Sequence, residues 1–228
     1  MKKALIILSC VVVAVLAFAT AFLLTYDRER RVTEKPVLYI YSPQEQLVTV
    51  SVDVDGAIDT AYPAPDALET TDRGTQASWT VTASPDGTLT DRSGRTYPSL
   101  FWDGPVGQKS PEEGFVVARE DAVPFLEEKL ALLGLTDKEA ADFITYWAPR
   151  IRANEYTFVS FDASSYTAHA RYSFTDEAGA PVEPDTFIRV FMTIRQAEAT
   201  TQLREQAFGP TPQRTGLVAV EWGGTEEQ

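Results

Sequence analysis

Leu47-Val48-Thr49-Val50-Ser51-Val52-Asp53-Val54-Asp55 is the stretch on which the fold turns. Val48, Val50, Val52 and Val54 fall on one face of an extended chain, and Thr49, Ser51, Asp53 and Asp55 fall on the other. Strict alternation of this kind reads as a β-strand with one face in a core and one toward polar surroundings. Asp55-Gly56 then supplies turn chemistry, and residues 57–62 are expected to return as the hairpin partner.

Working outward, the same period recurs. Val37-Leu38-Tyr39-Ile40-Tyr41 reads as a strand stopped by Ser42-Pro43. Residues 79–83 and 88–91 flank the tight turn Ser84-Pro85-Asp86-Gly87, and Arg92-Ser93-Gly94-Arg95 turns the chain again into residues 96–103. Residues 115–118, 156–161, 168–174, 186–195 and 217–222 are further strands; in the long one Ile188, Val190, Met192 and Ile194 share a face. Repeated hairpins point to antiparallel sheets, sandwich-like in arrangement.

One segment breaks the pattern. Leu126, Leu130 and Leu133 form a helical stripe that Gly134 ends. Thr136-Asp137-Lys138-Glu139 fits a capping box for a second helix with Ala140, Phe143, Ile144 and Trp147 on one face, stopped at Pro149. The fold class expected is therefore α+β, with a helical hairpin near residues 120–149 in a β-rich domain over residues 35–224.

Residues 4–25 are apolar without a single charge. As a helix they would measure ~33 Å, enough to cross a bilayer core. The run reads as a transmembrane signal-anchor over residues 1–25, with the lipid bilayer as its partner and residues 26–34 as a charged stalk. Two other readings compete: cleavage after Ala17-Phe18-Ala19 or Ala19-Thr20-Ala21, and a lipidation box at Ile7-Leu8-Ser9-Cys10. Phe22-Leu23-Leu24 continues the apolar stretch where a cleaved chain turns polar, and the box stands too near the start of the run. Lys2 and Lys3 are opposed by Arg28, Arg30 and Arg31, so the charge count nearly ties. The short head behind two lysines favours an inside amino terminus, hence a cell-membrane protein with an extracytoplasmic C-terminal domain. Residues 225–228 are expected to be a tail.

All 33 acidic residues follow Tyr26, against 18 basic ones (20 less Lys2 and Lys3), which leaves 15 net negative charges on the polar part. Such a field repels phosphate backbones, so nucleic acid is not an expected partner. The single cysteine, Cys10, lies in the apolar run, which removes a disulfide framework or a cysteine metal site.

Candidate chemistry is sparse. His169 is the only histidine, so a histidine pair cannot hold a metal, and no Gly-x-Ser-x-Gly elbow accompanies it; it reads as a surface or strand residue. Asp53, Asp55 and Asp59 lack the third early ligand and late glutamate of a calcium loop, and Gly104, Gly107 and Gly114 lack dinucleotide spacing. No metal, cofactor or catalytic residue is assigned. The best constellation is Trp102-Asp103-Gly104 with Glu221-Trp222-Gly223, each a carboxylate beside an indole at a strand end. Trp102, Asp103, Glu221 and Trp222 are the ligand-contact candidates. Asp103 and Glu221 would be the carboxylate pair of a glycan hydrolase; the competing reading makes the indoles core and pairs the acids with arginines such as Arg189.

Several blocks also stand in a specific order: Lys35-Pro36-Val37-Leu38-Tyr39-Ile40-Tyr41, Tyr97-Pro98-Ser99-Leu100-Phe101-Trp102-Asp103-Gly104, Gly114-Phe115-Val116-Val117, Phe125-Leu126-Glu127-Glu128-Lys129-Leu130, Tyr146-Trp147-Ala148-Pro149, Ile188-Arg189-Val190-Phe191-Met192 and Val220-Glu221-Trp222-Gly223-Gly224. Together they resemble a family of uncharacterised bacterial proteins, commonly exported or membrane-attached. That resemblance implies one recurring domain and brings no activity, cofactor or site residue. Ser42 departs from it by intervening before Pro43. The expectation is a non-enzymatic module of the cell envelope that binds or scaffolds an envelope protein or glycan, with the hydrolase as its alternative.

Overall fold

The computed structural model describes residues 32–105 and 109–227. The apolar run at 4–25, and with it the anchor, its cleavage and its orientation, lies outside the described residues. Among those described, no helix is long and apolar enough to cross a bilayer.

In chain order the strands begin with β1 (Val32–Tyr41), β2 (Gln46–Val54), β3 (Thr60–Tyr62), β4 (Ala67–Thr70), β5 (Thr75–Ala83), β6 (Leu89–Asp91), β7 (Thr96–Tyr97), β8 (Leu100–Pro105) and β9 (Glu113–Ala118). A 3-10 turn leads into α1 (Ala122–Leu132), followed by α2 (Asp137–Ile151). Then come β10 (Tyr156–Ser160), α3 (Ser164–His169), β11 (Ala170–Thr175), β12 (Thr186–Ala197), β13 (Arg204–Glu205) and β14 (Val218–Glu227). The result is α+β and rich in sheet.

Two sheets form. The larger runs β13-β9-β10-β12-β14-β1-β8-β3, the smaller β11-β2-β5-β6-β7, with β4 on β5. Alternation along the strands decides what each face covers. Leu38, Ile40, Leu100, Trp102 and Ala219 of the larger sheet pack with Val48, Val50, Val52, Val54, Trp79 and Val81 of the smaller. Tyr39, Val190, Met192, Val220 and Trp222, one residue out of phase, pack on Leu126 and Leu130 of α1 and Phe143 and Trp147 of α2. Helices, large sheet and small sheet thus make three layers around two apolar clusters.

The helical pair is fixed by local chemistry. Leu133 caps α1; Gly134 takes φ +90°, its N–H reaches Ala131 O, and the Leu135 N–H reaches Leu130 O, the two bonds of a Schellman stop. The Thr136 hydroxyl accepts from Glu139 N while the Glu139 carboxylate accepts from Thr136 N, so both halves of the capping box are made.

Several expectations are corrected. β12 and β14 run parallel from Thr186↔Val218 to Arg195↔Glu227, and β13 runs parallel to the start of β9; the larger sheet is mixed, whereas the smaller is antiparallel throughout. No tight turn joins β12 to β14, and the long connection through Gly209-Pro210-Thr211-Pro212 lets the chain cross over. Both central strands are covered on two faces, the usual surroundings of a parallel pair. Residues 57–62 do not return along β2, which pairs instead with β5 and β11; β3 joins β8. Gly56 and Gly104 permit that crossing, since a Cβ on either would meet the carbonyl oxygen of Pro105 or Ala57. Helix α2 runs past Pro149 to Ile151, because only the one amide that would reach the Thr145 carbonyl is lost there; the Arg150 side chain separately donates to the Tyr146 carbonyl at 2.8 Å. The stalk ends earlier than 34, since β1 starts at Val32. Residues 225–227 are no tail: they pair with Thr193, Ile194 and Arg195, and Thr225 is buried.

Candidate functional site

The four candidates at the two Trp-carboxylate blocks are divided by the strand alternation. Trp102 and Glu221 point between the sheets; Trp222 points the other way, against Phe143 of α2 with ring centroids 5.3 Å apart. Asp103 follows Trp102 and so lies on the face opposite to it. Asp103 and Glu221 therefore project from opposite faces of one sheet and form no carboxylate pair. Trp102, Glu221 and Trp222 are each at most 1 % exposed, which removes them as ligand contacts in this conformation. Asp103 Oδ1 is buried without a hydrogen-bond partner among the described residues.

Glu221 is instead the centre of a closed network. Parallel register sets it beside Arg189, whose Nε donates to Oε2 at 2.7 Å. The Tyr166 and Tyr172 hydroxyls donate to Oε1 at 2.6 and 2.7 Å. Tyr172 accepts in turn from Trp102 Nε1 at 2.8 Å, and Arg189 Nη2 donates to Ala170 O at 3.0 Å. Burial, then the Glu221 charge, holds both phenols far above their ordinary pKa. Burial acts to lower the Arg189 pKa, yet the carboxylate and the two phenols beside it raise it overall, so the guanidinium stays charged. Arg189 is the arginine partner nominated from sequence. Both Glu221 oxygens are thus taken by donors of the protein itself.

A second ionic cluster ties the cap of α2 to the loop before β14. Glu139, fully buried, accepts from Arg214 and from the Tyr41 hydroxyl at 2.8 Å. It too is closed.

Open to solvent, by contrast, is a polar cleft of ≈ 750 Å³ bordered by α3, the segment before β9 and the chain around β13. The histidine lies in it. Continuing the β2–β11 ladder places Asp55 opposite His169: the Asp55 N–H reaches His169 O at 2.9 Å, and Nδ1 lies 3.0 Å from Asp55 Oδ2. Arg73 pairs with Asp55 and, at 3.0 Å, with Asp53, so one guanidinium bridges both strand aspartates. Ser165 Oγ accepts from the Lys109 N–H at 2.9 Å, and Gln206 Oε1 accepts from the Phe161 N–H at 2.8 Å. Arg204 and Glu113, also in the lining, pair with each other.

Sequence reading missed this cleft because it placed a strand from residue 168 and no helix before it. The available signal was Asp162, whose carboxylate accepts from the Ser164 N–H at 2.9 Å and opens a turn that Ser165 and His169 continue at helical spacing. No protein-family model, no curated protein and no solved structure matches this chain.

Proposed function

We propose that this chain is a non-enzymatic binding module of the cell envelope, tethered by residues 4–25 as a single-pass signal-anchor, with a sandwich-like domain displayed outside the cytoplasm. One observation carries the binding reading: the carboxylate best placed in sequence for catalysis, Glu221, is sealed inside a satisfied network, while the open cleft holds hydroxyl, amide and imidazole groups. A buried acid whose oxygens are taken by Arg189, Tyr166 and Tyr172 has no path to a substrate it could protonate. The uncharged 22-residue run, the acidic surface and the resemblance of the ordered blocks to exported or membrane-attached bacterial proteins support the location.

Incubation of the full-length chain, in detergent or in membranes, with cell-wall glycan and peptide substrates tests this. No product above a protein-free blank is expected. Reproducible turnover that tracks with the protein through purification overturns the reading.

A further inference from the structure

The cleft beside His169 carries a ligand class. Three of its side chains are each pinned by one bond to the protein and each keep a second polar function free. His169 is held through Nδ1 by Asp55 at 3.0 Å; with the ring's proton on that nitrogen, Nε2 is an acceptor that no described residue uses. The Ser165 oxygen accepts from the Lys109 N–H at 2.9 Å, which leaves its O–H to donate. The Gln206 carbonyl accepts from the Phe161 N–H at 2.8 Å, which leaves its NH₂ with two donors. Ser165 and His169 stand four residues apart on α3 and so share a face. All three line the same cleft.

Such groups are held before any ligand arrives, so little ordering cost attends binding. Their chemistry also selects. One acceptor and several donors stand together without a net charge; elsewhere in the lining Arg204 pairs with Glu113, and Lys109, Glu112 and Asp162 leave a small acidic excess that disfavours an anionic ligand. An ionic ligand would find no unpaired counter-charge on these three groups. Among the described residues no Phe, Tyr or Trp lines the cleft, so recognition rests on polar contacts rather than on a stacking platform. A ligand that both donates and accepts at neighbouring positions matches this arrangement, and vicinal hydroxyls do so. At ≈ 750 Å³ the space is within the range of small-ligand sites.

We propose that this cleft binds a neutral polyhydroxylated ligand, an oligosaccharide, whose hydroxyls donate to His169 Nε2 and accept from the Ser165 hydroxyl and the Gln206 amide. The proposal rests on reading the chain as a binding module and adds the ligand and the contacts. Asp55 is a positioning residue that fixes which imidazole nitrogen faces the ligand.

The test is titration calorimetry of the full-length chain with neutral chito-, malto- and cello-hexaoses, beside a set of uncharged hexapeptides as counter-probes. Ser165→Ala removes a donor, and Gln206→Glu keeps the oxygen that Phe161 needs while removing the NH₂. Circular dichroism confirms that both variants fold. At least one hexaose is expected to bind, and each variant to weaken it about five- to tenfold, one hydrogen bond's worth. Hexaose binding unchanged in both variants overturns the proposal. Hexapeptide binding that the variants weaken, without hexaose binding, overturns the oligosaccharide but leaves the module reading in place. Cleavage of a hexaose overturns the module reading itself, and silence from every probe overturns both.

Discussion

Tyr39 of β1 donates its hydroxyl to Asp142 of α2 at 2.9 Å while accepting, at 3.3 Å, from the indole N–H of Trp222. The same seam repeats twice. Tyr41 donates to Glu139 at 2.8 Å, and Tyr146 of α2 donates back to Glu34 of β1 at 2.7 Å. Three phenol–carboxylate bonds thus run along the join between α2 and the large sheet, each uniting residues about a hundred positions apart. Apolar packing alone would let a helix slide on a sheet; these bonds select one axial position.

Tyr39→Phe is therefore expected to cost more than the bond it visibly breaks. It removes the donor to Asp142 and also strands the buried Trp222 N–H, so a loss of about 1–3 kcal/mol is expected. Tyr62→Phe, at a residue 56 % exposed, should stay within about 0.5 kcal/mol. Urea unfolding of both variants checks this, and equal midpoints would show that the seam adds nothing.

The Glu221–Arg189 pair makes a sharper prediction because the order of effects is inverted. Glu221→Leu leaves the largely buried guanidinium without its carboxylate, at an expected cost of about 3–5 kcal/mol. Adding Arg189→Met removes that orphaned charge. The double variant should then be more stable than the single one, even though the Tyr166 and Tyr172 hydroxyls still lack their acceptor. A double variant less stable than Glu221→Leu would mean that Arg189 stabilises the fold independently of its partner.

Local periodicity made much of this fold readable. The valines of β2 are all fully buried, the stripe of Ile188, Val190, Met192 and Ile194 faces the helices, and Thr136 and Glu139 build the expected cap. Pairing was not readable, because alternation says which residues share a face and nothing about which strand lies beside them. Hence β2 lost its expected hairpin partner, β12 and β14 proved parallel, and Asp103 and Glu221 parted. Glu139 shows the limit within a single residue: its cap follows from the three-residue spacing, but the buried ion pair with Arg214 depends on a contact 75 positions away. The cleft was hidden for a related reason. Its free groups become visible only once their other halves are seen to be pinned.

Gly224 tests the closeness of α2 to the large sheet. A Cβ there would lie 2.4 Å from Met192 O and 2.5 Å from the Trp147 ring, and neither the backbone nor a fully buried indole can yield. Gly224→Ala should cost about 1–3 kcal/mol through overpacking. Gly209→Ala, with nothing within 4 Å, should leave stability unchanged or raise it by up to about 1 kcal/mol. Thermal or urea unfolding separates the two; a Gly224→Ala protein as stable as the parent would mean that helix and sheet stand further apart than described.

Alkaline pH should unfold this protein through its tyrosines. Tyr146 is pushed up to about 12, by burial first and then by the bond to Glu34. Tyr39, Tyr41, Tyr166 and Tyr172 are likewise raised well above the ordinary phenol value, burial again leading. In the unfolded chain these phenols ionise near 10. Their folded values are raised, so the stability they confer is complete below pH 10 and is lost as pH climbs through 10 to 12 and past it. Absorbance at 295 nm should show these five of the nine tyrosines silent at pH 10 to 11. They should then ionise in one step that coincides with loss of the near-ultraviolet circular dichroism. Glu34→Gln should bring the Tyr146 titration down only part of the way, since it removes the charge while burial, the larger cause, remains. Five phenols titrating independently near pH 10 in a chain that keeps its tertiary signal would contradict the sealed networks on both faces of the large sheet.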